Sequence, residues 1–83
     1  MSYVDDVKRI KEKYERKLMR KKGVMGCAVG YKYVAGEKTD KICIVCYVKK
    51  KLPEDQLRKS DLVPRYIKGI PTDVIESGGI RAL

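Results

Sequence analysis

Residues Val24 to Lys51, VMGCAVGYKYVAGEKTDKICIVCYVKKK, decide the fold that we expect for this chain. Two runs rich in Val, Ile, Tyr and Cys flank the polar segment AGEKTD at 35–40, which contains a glycine. Apolar, β-rich runs on either side of such a segment are typical of a β-hairpin. We therefore predict a hairpin over 24–49, with strands at 24–34 and at 41–49.

Side-chain alternation predicts how the two strands pair. The larger side chains of the first strand share one face: Met25, Cys27, Val29, Tyr31 and Tyr33. The second strand is apolar on both faces, which is typical of a central strand that is covered on both sides. Placing Val34 opposite Lys41 puts Val29 opposite Cys46 and joins the apolar faces of the two strands. In this register, the tyrosines of both strands are expected to lie in the core.

The segment before the hairpin has the pattern of a basic amphipathic helix over 2–22. Ser2 can cap its first turn, where Asp5 and Asp6 complement the helix dipole, and Gly23 is placed to end it. Apolar residues recur every three or four positions, which predicts one packed face. That face consists of Tyr3, Val7, Ile10, Tyr14 and Leu18.

The segment after the hairpin predicts short elements. Pro53 followed by two acidic residues indicates a short helix over 53–59. Short strands are expected within 65–76, at 65–67 and 72–76; they could pair with each other, or one could join the main sheet. Pro71 favours an edge position for the last strand, and residues 77–83 are expected to form a flexible tail. The fold class that follows is a single α+β domain over 1–83. A long N-terminal helix and a short second helix pack on a small, mainly antiparallel sheet centred on the β-hairpin.

Composition limits the functions that we consider. The 83 residues include 20 Lys and Arg against 11 Asp and Glu, a net charge of +9, which favours polyanionic partners or serves only solubility. No stretch is long and apolar enough to span a membrane, and the N-terminus lacks an apolar signal-peptide core. Three cysteines, an odd number, fit a reducing compartment. We therefore expect a cytoplasmic protein without a membrane partner.

The sequence offers little for catalysis. It contains no histidine, the commonest general acid–base residue, and no Ser or Cys has a base nearby in the sequence. Cys43 and Cys46 form a CxxC motif, but residues three apart in a strand point to opposite faces, whereas redox and zinc motifs place this spacing in a turn or at a helix start. We therefore predict buried free thiols, no enzymatic activity, no cofactor and no metal.

One basic cluster stands out as a candidate binding site. In the predicted register the second strand ends near the end of the helix, which brings two lysine-rich runs to one end of the sheet. Crowded like charges are unfavourable unless salt or an anionic partner screens them. The cluster consists of Arg20, Lys21, Lys22, Lys49, Lys50 and Lys51. We predict that these residues form a polyanion-binding site.

Three strings carry a resemblance to a known family: GVMGCAVGYKYVAGEKT, IVCYVKKKLPEDQL and VPRYIKGIPTDVIESGG. From Val24 to Gly78 the chain resembles the small N-terminal module that precedes the trypsin-like (chymotrypsin-fold) peptidase domain in some bacterial proteins. The peptidase domain itself is not expected within these 83 residues, and a chain without histidine has no His-Asp-Ser triad. The resemblance therefore implies an accessory module and does not imply peptidase activity.

These observations lead to three expectations of function. The first is a non-catalytic protein-interaction or accessory module whose partner is another protein or a second copy of the chain, as a homodimer. The second is a basic nucleic-acid-binding protein that uses the cluster from Arg20 to Lys22 and from Lys49 to Lys51. The third is a stand-alone remnant or regulator related to trypsin-like peptidase proteins.

Overall fold

A computed structural model describes residues 3–77 of the chain and shows one helix and four strands. The elements are α1 (Tyr3–Met19), β1 (Val24–Val34), β2 (Glu37–Val48), β3 (Tyr66–Ile67) and β4 (Ile70–Glu76). Two short 3-10 turns, at Glu54–Gln56 and Lys59–Asp61, lie between β2 and β3. The α+β class predicted from the sequence is confirmed.

The four strands form one sheet in the order β1-β2-β4-β3. β1 pairs antiparallel with β2 and β3 pairs antiparallel with β4, whereas β2 and β4 run parallel. β2 is therefore an inner strand, as its apolar character on both faces predicted. The two short candidate strands at 65–76 pair with each other, and the second of them also joins the main sheet.

Helix α1 packs on one face of the sheet through four of the five residues predicted for its apolar face, whereas the fifth, Tyr3, is 54% exposed. Val7 and Leu18 are buried, and Ile10 and Tyr14 pack around them. The helix ends at Met19, three residues earlier than predicted, and Gly23 with φ +84° reverses the chain into β1. The predicted cap at Ser2 lies outside the described residues.

The predicted register of the hairpin was wrong by two residues. Val29 lies opposite Ile44, and Cys27 lies opposite Cys46. The expected six-residue loop is a two-residue turn, in which Ala35 and Gly36 both have positive φ, so β2 begins at Glu37. A shift by an even number keeps each side chain on its face, and the apolar residues of both strands still meet beneath α1.

The tyrosines of β1 are not in the core, contrary to the prediction. Tyr31 and Tyr33 are exposed by 45% and 46%. The register changes between these two residues, because Tyr31 lies opposite Ile42 and Tyr33 lies opposite Lys38, so β2 carries the extra residues of an irregularity at 39–41. Beside this irregularity β1 reaches across β2 to β4, because Lys32 Nζ donates to Thr72 O at 2.7 Å and the Tyr33 N–H donates to Asp73 Oδ2 at 2.9 Å.

The predicted second helix at 53–59 is absent, and two 3-10 turns stand in its place. Leu57 and Arg58 between the turns have extended backbone angles. Seven residues are too few to sustain an α-helix without strong packing, and isolated 3-10 turns are common in such connections. The extended conformation lets the chain follow the end of the sheet.

Pro71 lies in an inner strand, contrary to the edge position predicted for it. It sits one residue before the first β2 partner of β4, which is Thr72, so its missing N–H removes no bond to β2. On the other side it lies opposite Tyr66 of β3. The short strand β3 and the long strand β1 are the two edges of the sheet.

Ser77, the first residue of the predicted flexible tail at 77–83, is held to the sheet. The Ser77 N–H donates to Val48 O at 2.8 Å, which fixes this residue to the end of β2. Residues 78–83 lie outside the described part of the chain.

Candidate functional site

Hydrogen bonds donated by backbone N–H groups join neighbouring segments at the end of the sheet where β2 finishes. The Lys49 N–H donates to Gly23 O at 3.1 Å, and the Lys22 N–H donates to Asp61 Oδ1 at 3.0 Å. The Lys51 N–H donates to Glu76 Oε1 at 2.8 Å. The segment after α1, the end of β2 and the 59–61 turn therefore meet at this end of the sheet.

These segments enclose a cleft of about 660 Å³, which we call the terminal cleft. Its apolar lining comes from β1, β2, β4 and the connection between β2 and β3. The apolar lining residues are Val24, Val48, Leu52, Leu57, Leu62, Val63 and Val74. Four lysines also line the cleft, namely Lys22, Lys49, Lys50 and Lys51, together with three carboxylates, Glu54, Asp61 and Glu76. The cleft thus combines an apolar lining with charged groups.

The lysine side chains of the terminal cleft differ from its carboxylates in their bonding. Asp61 and Glu76 each accept a hydrogen bond from a backbone N–H, which holds these two carboxylates in place. Among residues 3–77, none of the four lysine ammonium groups forms an ion pair with a carboxylate.

The six predicted polyanion-binding residues do not form one site. Arg20 and Lys21 lie on a neighbouring surface between α1 and the β3–β4 turn, separated from the terminal cleft by the 59–61 turn. Lys21 Nζ donates to Ser60 O at 2.8 Å, which ties α1 to that turn. We call this second region the basic-aromatic surface. It is lined by Tyr14, Lys17, Leu18, Arg20, Lys21, Ser60, Pro64, Tyr66, Ile67 and Lys68.

Sequence reasoning missed three features of these two regions. It did not identify Lys17 and Lys68 as neighbours of Arg20, because Lys68 reaches this surface only through the β3–β4 pairing. It also missed the exposed Tyr66 and the apolar lining of the terminal cleft. Leu52, Leu57 and Leu62 were the sequence signal for the cleft, because apolar residues that recur along a polar connection usually pack against the body of the protein.

The three cysteines are free thiols within the sheet. Cys27 and Cys46 are direct cross-strand partners beneath α1, and Cys43 is fully buried. Burial raises the pKa of all three, and it raises the pKa of Cys46 to about 12. Asp73 raises the pKa of Cys43 further. Such thiols are poor nucleophiles at neutral pH, because only the thiolate reacts readily.

The two cysteines of the CxxC motif lie in different surroundings. Cys46 belongs to the cluster under α1, whereas Cys43 lies beside Lys32 and Asp73 and not in that cluster. Within the described range 3–77, no group of Cys, Asp and Glu side chains is arranged to hold a metal ion. The cysteines therefore serve as small apolar residues of the sheet.

Over the part of the chain that the structure describes, no helix combines the length and the apolar composition that a membrane crossing requires.

Comparison with known proteins assigns the chain to a family. The comparison with curated proteins gave no match. The family model described as the NARROW LEAF 1 N-terminal domain matches residues 3–80, which covers the helix, the sheet and both candidate regions. The chain therefore belongs to the NARROW LEAF 1 N-terminal domain family.

Proposed function

We propose that this protein is a non-catalytic interaction module that binds a segment of another protein in the terminal cleft. The observation that carries the proposal is the cleft itself, in which seven apolar side chains lie beside four lysines that have no ion-pair partner among residues 3–77. Interfaces between proteins typically combine an apolar centre with a polar rim. A segment with apolar side chains and flanking Asp or Glu residues would complement both parts.

The geometry of the cleft supports a preformed site. Three hydrogen bonds from lysine backbone N–H groups, to Gly23, Asp61 and Glu76, hold the walls together. A partner that binds a preformed cleft loses less free energy to ordering of the protein than one that must create its site. The absence of histidine supports a role without acid–base catalysis.

The family supports a role as a module, because its description is that of an N-terminal domain. The sequence resemblance to the module that precedes trypsin-like peptidase domains suggests one kind of partner. We propose that such a peptidase domain, or a protein that acts with one, is among the candidates for the partner. Cytoplasmic residence, inferred from sequence, belongs to the same proposal.

Site-specific photo-crosslinking tests the proposal. A crosslinking amino acid at Leu52 in the cleft is compared with one at Lys38, which lies near the tip of the β1–β2 hairpin. After reaction in native extract treated with nuclease, we expect a protein adduct at Leu52 that is absent at Lys38. Replacing Leu57 by Asp should remove the adduct while the circular dichroism spectrum is kept.

Two results would contradict the proposal. Equal adducts at Leu52 and Lys38 would show that the cleft has no selectivity. An adduct that consists only of a second copy of the chain would indicate the homodimer instead, and sedimentation at increasing concentration would then show self-association.

Nucleic-acid binding is the second candidate function, and the basic-aromatic surface is the observation that favours it. Four cations line this surface, and no carboxylate does. The terminal cleft is less suited to a polyanion, because three carboxylates share it with four lysines. A salt-titrated binding assay with DNA and RNA tests this candidate, since binding through phosphates weakens steeply as salt rises.

A further inference from the structure

We propose that the basic-aromatic surface binds single-stranded nucleic acid, with one base stacked on the ring of Tyr66 and phosphates held by Lys17, Arg20 and Lys68. The inference rests on the second candidate function, nucleic-acid binding, and gives it a site and a substrate class. It is independent of protein binding in the terminal cleft.

The charge of this surface is the first reason for the proposal. Its cations come from two separate parts of the chain: Lys17 from the last turn of α1 with Arg20 and Lys21 directly after the helix, and Lys68 from the β3–β4 turn. No Asp or Glu is among the ten residues that line it. Cations that converge from two elements without a neighbouring carboxylate form a concentrated positive field, which attracts a phosphate chain.

The exposed ring of Tyr66 is the second reason. Tyr66 is 66% exposed, although it belongs to a strand, and its neighbour Ile67 is 6% exposed and packs into the core. Ile67 thus anchors β3 while Tyr66 remains open to solvent. A tyrosine on an anchored strand loses little conformational entropy when a base stacks on it, and base–aromatic stacking is the usual contact of proteins that bind single strands.

The β3–β4 turn fixes the backbone of Lys68 close to Tyr66 in the chain. Lys68 and Gly69 have φ values of 52° and 79°, so they form a tight two-residue turn between Ile67 and Ile70. Thr72 fixes the two residues before β3, because its N–H donates to Arg65 O at 3.0 Å and its hydroxyl donates to Pro64 O. The backbone positions of Lys68 and Tyr66 are therefore fixed relative to each other.

A single strand fits this arrangement better than a duplex or an acidic protein. Bases in a duplex are stacked on each other and are not available to a tyrosine ring, whereas a single strand offers both free bases and phosphates. An acidic peptide would use the cations and would leave the exposed ring without a specific role. The Tyr66 ring is thus the feature that favours a single strand over a duplex or an acidic peptide.

Fluorescence anisotropy with a labelled oligothymidylate over a series of salt concentrations tests the proposal. Three phosphate-binding cations at about 0.7 released counterions each predict that log K falls with log salt with a slope of about −2. Tyr66→Ala should weaken binding at least about fivefold, whereas Tyr66→Phe, which keeps the ring, should stay within about twofold. Tyr33→Ala is the matched control, since Tyr33 is also exposed, by 46%, but lies on β1.

A second pair of variants tests the cations. Lys17→Gln with Lys68→Asn should reduce the salt slope by about 1.4, and asparagine tolerates the positive φ at position 68. Lys8→Gln with Lys41→Gln removes the same charge from exposed positions that do not line the surface and should change the slope much less. Thermal unfolding of each variant confirms that the fold is kept.

The outcomes separate the site from the function. Salt-dependent binding that is unchanged by Tyr66→Ala would overturn this site and leave nucleic-acid binding through another surface. Binding of a duplex as tightly as the single strand, or competition by polyglutamate at equal charge concentration, would overturn the substrate class. Failure to bind any DNA or RNA at low salt would overturn both the site and the second candidate function.

Discussion

Replacing Ala35 by Asn should stabilise the protein through the β1–β2 turn. Ala35 has φ +52° and Gly36 has φ +81°, the pair of positive values that defines a type I′ turn. An L-residue such as alanine pays roughly 1–2 kcal/mol in this region, whereas asparagine adopts it more readily. Since part of that cost is relieved, we expect the free energy of unfolding to rise by about 0.5–1 kcal/mol. For a domain of this size, that change raises Tm by about 2–8 °C.

Thermal unfolding followed by circular dichroism measures this effect, and two variants control it. Ala35→Ser adds a small polar side chain without the preference of asparagine and should leave Tm nearly unchanged. Gly36→Ala should lower stability by about 0.5–1 kcal/mol, because the strain of positive φ outweighs the lost freedom of the unfolded chain. A Cβ at Gly36 would have no neighbouring atom within 4 Å, so this loss would come from the backbone alone.

The opposite results for these variants would refute the two-residue turn at Ala35 and Gly36. If Ala35→Asn melts with or below the parent and Gly36→Ala has no effect, the two residues do not share positive φ values. The hairpin would then have the longer loop that the sequence suggested, with a different register between β1 and β2.

Three further predictions concern the core and its thiols. Leu18→Ala, at a side chain that is 2% exposed, should lower the free energy of unfolding in urea by about 2–5 kcal/mol, whereas Met19→Ala, at an exposed side chain, should change it by less than about 0.5 kcal/mol. Thr72→Val removes the hydroxyl that donates to Pro64 O and should cost about 1–3 kcal/mol, while Thr72→Ser should retain most of the stability. Burial raises the pKa of the Cys46 thiol from 9.0 in the unfolded chain to about 12 in the folded protein. Between pH 9 and pH 12 the unfolded chain therefore loses this proton while the folded protein keeps it, so the free energy of unfolding should fall by up to about 1.4 kcal/mol per pH unit. Cys46→Ala should lack that part of the fall when alkaline unfolding curves are compared, and an equal fall in both proteins would contradict it.

The sequence predicted those parts of the fold that depend on local patterns. The bounds of β1, the packed stripe of α1 and the inner position of β2 follow from side-chain periodicity and a terminal glycine. The predicted register of the β1–β2 hairpin was wrong because alanine at position 35 is not a residue typical of a tight turn, although it has a positive φ there. The prediction that Tyr31 and Tyr33 are buried was wrong because alternation indicates the face of β1 on which a side chain lies, but not whether another element covers that position.

The candidate site was predictable only in part. The adjacency of Lys22 and Lys49 follows from the hairpin and was anticipated in outline. The separation of Arg20 and Lys21 from the other four residues depends on the 59–61 turn, which lies between the two groups and bonds to both. Such a contact between segments far apart in sequence leaves no local pattern, and neither does the parallel pairing that brings Lys68 to α1.

The parallel pairing of β2 with β4 also has a consequence for the order of folding. The β1–β2 hairpin closes through a two-residue turn, whereas β4 reaches β2 only after the connection from Lys49 to Gly69 has been ordered. Contacts that close long loops are slower to form, so we expect the hairpin and α1 to assemble first and β4 to dock last. Both candidate binding regions need β4 or the β3–β4 turn. Hydrogen exchange should therefore show them opening together while the hairpin remains protected, which would let the protein lose and regain its binding surfaces without global unfolding.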